Sequence, residues 1–383
     1  MLKEASTTNS QLINEEGQVA SFPEDIKLVS KNEYRTELQK YLPDEAFKID
    51  TKHVLLYLTA MPVYLFGIYT IVNSQNLFLN LIVSIVMGIA LGSLTFFLHD
   101  LFHGSIIKSR SLAYICGLSI GIFNLFAPLF WQRVHNFHHA RTGNTDDPDR
   151  SYILAETPRN FIEKIAYKFR ISREAYHPLI SLIFMATGFF FYFFSTMFYG
   201  LAGKNLSIKK YTKYQRIHEL FKVGNGKYVV LCELVLILLF QVFLFSKIAS
   251  GNLLTYGLIS MLPVVISHFI AMSYIHTNHF LSPLTGEIDD PLINSLSLKN
   301  SRFVDTIFSN FSHHVEHHLF PAMSSSQYPK VRKLLLELYP ERFQLIPMID
   351  AIKLLLKTPR IHGDYTHLVG LDNKKTNCLL PVK

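Results

Sequence analysis

The sequence predicts an all-α integral membrane protein: two transmembrane helix hairpins making about four crossings, re-entrant or interfacial helices, and a histidine-rich cap on the cytoplasmic side. Three observations carry that prediction. Of 383 residues, 49% are hydrophobic and only 17% charged, against the roughly 25% charged usual for soluble domains. The apolar residues collect in windows of membrane length, with the basic residues between them. Most of the histidines collect in short clusters at the ends of those windows. Three cysteines exclude a disulfide scaffold, and the composition excludes disorder, collagen and coiled coil.

Six windows run Val54 to Val72, Leu77 to Phe97, Leu112 to Trp131, Leu179 to Tyr199, Tyr228 to Phe245 and Leu253 to Ile275. A hydrocarbon layer about 30 Å thick takes about 20 apolar residues as a helix. The single charge in the last two windows is Glu233. Residues 1–50 are polar, with no basic stretch leading into an apolar one, so no signal peptide is expected; Lys31 to Tyr41 is expected as an amphipathic helix on the membrane surface. Cys116, Cys232 and Cys378 read as small buried hydrophobes.

Orientation follows from the loops. Arg133 to Arg173 holds eight basic residues and Lys204 to Lys227 seven, and Lys108 and Arg110 follow the second window. The turns Asn73 to Asn76 and Ser246 to Asn252 hold only Lys247. Basic loops stay cytoplasmic, so those two turns mark the far side and define the hairpins. Windows three and four then begin and end on the basic side. The expected regions are a polar cytoplasmic segment over 1–50, a membrane domain over 51–340 and a cytoplasmic tail over 341–383. Nothing in the tail beyond Lys353 carries a readable function.

Eleven of the 17 histidines fall within 99–103, 135–139, 276–279 and 313–318. His99 and His103, in HDLFH, stand at i and i+4, so both imidazoles leave one helix face. His135, His138 and His139, in HNFHH, stand at i, i+3 and i+4. His314, His317 and His318, in HHVEHH, repeat that spacing. Neutral imidazole is a strong ligand for first-row metals, and eight rings exceed the four of a tetrahedral zinc site, so two metal ions are expected. His53, His177, His218, His362 and His367 read as satisfied polar residues, while His268, inside the sixth window, packs, bonds to backbone or stands near the site.

HDLFHGS, WQRVHNFHH and HHVEHHLFP resemble the three histidine boxes of membrane fatty acid desaturases, over roughly residues 50–340. Those spacings are shared with related di-iron hydroxylases and ketolases; the DDPD run at Asp146 to Asp149 and the proline after the third box lean towards the acyl-lipid desaturase branch. The resemblance implies iron ligation by His99, His103, His135, His138, His139, His314, His317 and His318. It implies a ninth ligand late in the last span, where His279 fits. In some members an Asn one turn earlier holds a metal-bound water; this chain has Ile275 there, and His276 and Asn278 are the candidates to replace it. Ligating histidines donate their outer N–H to a carboxylate or carbonyl, which makes Asp100, Asp146, Asp147, Asp149 and Glu316 candidates, with His313 beside them. Trp131 anchors the interface or lines a substrate channel.

The reaction the resemblance implies removes two hydrogens from adjacent CH₂ groups of a fatty acyl lipid or acyl thioester, with two irons as cofactor and O₂ as co-substrate. No flavin, nicotinamide or cytochrome b5 motif occurs, so an external ferredoxin or cytochrome b5-type donor is expected on the basic face. Membrane lipid is the other partner, and no nucleic acid is expected. The aromatic run Gly188 to Phe194 borders a substrate tunnel or faces lipid. A bacterial inner membrane and the endoplasmic reticulum fit equally. A lipid, sterol or carotenoid hydroxylase or ketolase is the alternative within the superfamily. A metal-handling or proton-relay transporter is the alternative outside it, and would need histidines at mid-membrane depth.

Overall fold

The structure, a computed structural model, describes residues 26–144, 147, 219–221, 224–359, 361–369 and 374–381. The fourth apolar window, its aromatic run, Asp146, Asp149, His177 and His218 lie outside the described residues.

Among the described residues, four helices are long and apolar enough to cross a membrane: Thr51–Asn73, Leu77–Phe102, Gly226–Ile248 and Leu253–His279. They contain α2 (Val54–Asn73), α3 (Leu77–Phe102), α6 (Gly226–Phe243) and α7 (Leu262–His279). Among the described residues, these four helices fall at the four windows expected to form two hairpins. The third window is broken into α4 (Arg110–Asn124) and α5 (Pro128–Arg141), bent by 103°. That corner matches the expectation of a re-entrant or interface-lying element.

The inner pair is α3 and α7, each span 61% buried, against 28% for the two outer spans. Their side chains meet in ascending order. Ser84 donates to the carbonyl of Leu258, Gly88 faces Ile266, Gly92 faces Ile270, and Phe96 packs edge-on against Tyr274. The two helices thus run parallel, and their C-termini share one end of the bundle. Gly88 and Gly92 permit this: a Cβ at Gly88 would lie 2.6 Å from Cβ of Ile266. Small residues four apart let membrane helices approach closely. A π-helical turn at Gly257–Met261 leads into α7, and its Ile259 carbonyl accepts from Tyr64 at 2.8 Å. Outward faces carry Phe66, Tyr69, Phe78, Leu238 and Leu253, all exposed, as a lipid-facing surface requires.

The cap covers the end where α3 and α7 finish. It holds α8 (His314–Leu319), α9 (Tyr328–Leu338) and α10 (Met348–Lys357). Strand β1 (Ser297–Lys299) pairs in parallel with β2 (Leu345–Pro347), Ser297 opposite Leu345. The tail forms a small antiparallel sheet of β3 (Ile361–His362), β4 (His367–Val369) and β5 (Lys375–Asn377). It clasps the segment after α7, with Leu284 N–H donating to Tyr365 O and Leu379 N–H to Leu281 O.

Helix α1 (Lys31–Gln39) begins with a capping box between Ser30 and Glu33. The helix expected over Lys31 to Tyr41 exists, but the membrane surface is not what covers it. Tyr34 and Leu38 are fully buried against Leu292, Val315, Leu319 and Leu335. Asp290 ties the segment down, accepting from Val29 N–H at 2.8 Å and from Arg342 at 2.7 Å. The N-terminal segment and the tail therefore complete one cap with the third histidine cluster. Ser324 accepts from Ser326 N–H, and α9 follows, its Val331 and Leu335 buried in the cap.

Candidate metal centre

Helical spacing places the imidazoles, and the parallel inner pair brings them together. His99 and His103 end α3, His279 ends α7, His135, His138 and His139 lie along α5, and His314, His317 and His318 fill α8. All nine lie in the cap or at the cap-side ends of helices, not at mid-span.

They form two groups. In the first, ligand atoms of His99, His103, His135, His139 and His317 all lie within 4.8 Å of one another; in the second, those of His138, His279 and His318 do. His314 joins the second, its Nε2 2.7 Å from Nε2 of His279 and 3.0 Å from Nε2 of His318. In the first group, Nε2 of His135 lies 3.1 Å from that of His103 and 3.0 Å from that of His139, which lies 2.9 Å from that of His317.

This donor set fits metal ions. Nitrogens bound about 2.1 Å from one ion at right angles stand about 3 Å apart, the spacing seen here. Burial, and then the neighbouring imidazoles, hold the pKa values of His103, His317 and His318 well below the ordinary histidine value. These rings are therefore neutral, and Nε2 atoms so close together either share a proton as N–H···N or turn their lone pairs to a common cation. Nε2 of His99 is buried without a hydrogen-bond partner.

Outer contacts fix which nitrogen faces inward. His99 Nδ1–H donates to Asp100 at 3.0 Å and His138 Nδ1–H to Asp147 at 2.8 Å. Thr142 spends its hydroxyl proton on the His138 carbonyl at 2.8 Å, so its oxygen accepts from His318 Nδ1–H at 3.3 Å. Tyr328 places its hydroxyl 2.9 Å from His317 Nδ1. Burial raises that phenol well above its ordinary pKa, so it stays protonated. Trp131 stacks on His135, centroids 4.7 Å apart and planes 11° apart; the lone tryptophan is part of the wall of this site.

Four expected residues stand outside the two groups. Glu316 bonds no imidazole: its carboxylate is fully buried and accepts from Arg332 on α9 and from Ser297. A helix turns about 100° per residue, so Glu316 points away from the face shared by His314 and His318. His276 stands outside both groups, stacked on Phe280 at 4.1 Å. His313 lies 3.1 Å from Ser312 Oγ through its Nδ1. Asn278 is fully buried, and its carbonyl accepts from Leu296 N–H. Thr142, Tyr328 and Arg332 were not among the expected residues; a hydroxyl gives no sequence signal that distinguishes a histidine partner from a helix cap.

Fold and site together define an all-α membrane protein with a buried polyhistidine centre fit for metal. The family model described as "Fatty acid desaturase" matches residues 76–349, and this chain belongs to that family. A curated relative, the "Fatty acid desaturase" of Bacillus subtilis (strain 168), is 32% identical over 105 residues, covering 25% of this chain and 28% of the relative.

Proposed function

We propose that this protein is an O₂-dependent fatty acyl desaturase with two irons, one held by His99, His103, His135, His139 and His317, the other by His138, His279, His314 and His318. The observation that carries this is the division of nine imidazoles, eight of them buried and His103 half-buried, into two groups whose Nε2 atoms stand about 3 Å from one another. When bound, such a pair supplies the oxidising power that unactivated methylene C–H bonds require and that acid–base side chains lack. The balance is one O₂, two hydrogens from adjacent CH₂ groups, two external electrons and two protons, giving one C=C bond and two waters.

The chain's own residues orient and shield. Asp100, Asp147 and Thr142 hold the Nδ1–H of His99, His138 and His318, leaving each Nε2 lone pair inward. Burial keeps bulk water from the nitrogens. Electrons come from a separate ferredoxin or cytochrome b5-type carrier, and the acyl chain enters as a lipid or thioester. The basic loops put the histidine end in the cytoplasm.

Expression in a host of known fatty acid content, followed by mass spectrometry, tests the reading. A new double bond with the wild type, absent with His138→Ala and His317→Ala, is expected, together with loss of bound iron from both variants. Oxygenated products alone would assign hydroxylation instead.

A further inference from the structure

A break in a helix within a membrane bundle leaves backbone groups that lipid cannot satisfy. The corner between α4 and α5 is such a break. Leu125 sits there in the left-handed region, φ 58°, and a Cβ at Gly121 would lie 2.5 Å from the carbonyl oxygen of Phe126. The turn is tight, and its residues supply little capping of their own. Ala127, the residue before α5, has no side-chain acceptor. Pro128, first in α5, needs none, having no N–H.

Side chains from the second hairpin fill these gaps. Glu233 on α6, 1% exposed, accepts from Leu129 N–H at 3.2 Å and from the Tyr114 hydroxyl of α4 at 2.7 Å. A carboxylate there also complements the positive end of the helix dipole. Gln241 on α6 donates to the Ile122 carbonyl at 3.3 Å, oriented by Ser260 and Tyr256 at its own oxygen. His268 on α7 donates from Nε2 to the Asn124 carbonyl at 3.0 Å. One N–H at the start of α5 and two of the last four carbonyls of α4 are thereby satisfied from neighbouring spans.

We propose that Glu233, Gln241 and His268 are positioning residues that set the 103° corner, and through it aim His135, His138 and His139 of α5 at the two metal positions. The part concerning metal rests on the function proposed above; the part concerning the corner does not. Glu233 is the chief of the three, because it joins both arms of the corner through Tyr114 and Leu129.

The test compares Glu233→Leu with Glu233→Gln in the full-length protein in detergent, because the Gln oxygen can still accept from Leu129 N–H. Spin labels at Asn136 on α5 and at Arg302, with Cys116, Cys232 and Cys378 replaced, report the pose of α5 by pulsed dipolar spectroscopy without metal. Iron titration reports the site. A broadened distance distribution and about tenfold weaker iron binding are expected for Glu233→Leu, with both near wild type for Glu233→Gln and broadening again for Gln241→Leu. Wild-type distances in Glu233→Leu, or equal disruption by the Gln and Leu variants, would overturn the proposal. A wild type that binds no iron would sink the functional reading, while the distances still decide the corner.

Discussion

Thr142 Oγ1 lies 3.3 Å from Nδ1 of His318, a residue 176 positions further along the chain. The contact links the loop after α5 to α8 and makes the second histidine cluster answerable for the tautomer of the third. Thr142→Val keeps the shape and removes the acceptor. Iron affinity is expected to fall about tenfold or more, with Thr142→Ser close to wild type, as measured by titration against a competing chelator. An unchanged affinity in Thr142→Val would remove this hydroxyl from the site.

The Glu316–Arg332 pair joins α8 to α9, with the carboxylate wholly buried and the guanidinium side chain 13% exposed. Arg332 also donates to the carbonyls of Leu298 and Ser312. Removing one partner from a buried pair costs about 3–5 kcal/mol. Arg332→Met is therefore expected to destabilise the metal-free protein by that order, and Arg332→Met with Glu316→Gln by less. Thermal unfolding of the two single variants and the double variant measures the coupling.

Gly88→Ala places a methyl 2.6 Å from Cβ of Ile266. Backbone separation must increase, since Cβ of Ile266 cannot rotate away. Overpacking of this kind costs about 1–3 kcal/mol, and a loss in thermal stability is expected. Gly104→Ala, where nothing lies within 4 Å but φ is +78°, is the comparison that separates crowding from backbone strain.

Acid should weaken the metal-free protein through the buried imidazoles. An unfolded histidine takes up a proton near pH 6.5, whereas burial holds His103, His317 and His318 neutral well below that. The unfolded chain then binds more protons, so stability is present above the unfolded value and is lost as pH falls through about 6.5 towards the folded values. Melting temperatures of the metal-free protein, taken from mildly alkaline to mildly acidic buffer, should decline monotonically. Asp290, whose pKa burial raises to about 6, contributes in the opposite sense, so it is a rise in melting temperature on acidification that would contradict neutral burial of the cluster.

The spans and the boxes were legible because each obeys a rule of local spacing. About 20 apolar residues cross a bilayer, and imidazoles three and four apart share a helix face. Asp100 and Asp147 were legible because they lie one and nine residues from the rings they hold. Glu316 looked the same in the sequence, but its helical phase turns it to Arg332. Amphipathic character in Lys31 to Tyr41 revealed a buried face without revealing that Val315 and Leu335, rather than lipid, cover it. Thr142, Tyr328 and the clasp of the tail on Leu281 and Leu284 depend on contacts between distant segments, which no local pattern records.

The parallel course of α3 and α7 sets where the chain tolerates length changes. Inserting one residue between Gly92 and His99 would advance both imidazoles of HDLFH by about 1.5 Å and swing them about 100° around the helix axis, while His279 stayed put. The same insertion between Asn73 and Asn76 would merely lengthen a turn at the opposite end. Insertions and deletions should therefore accumulate at the far turns and be purged from the stretches between the glycines and the histidines.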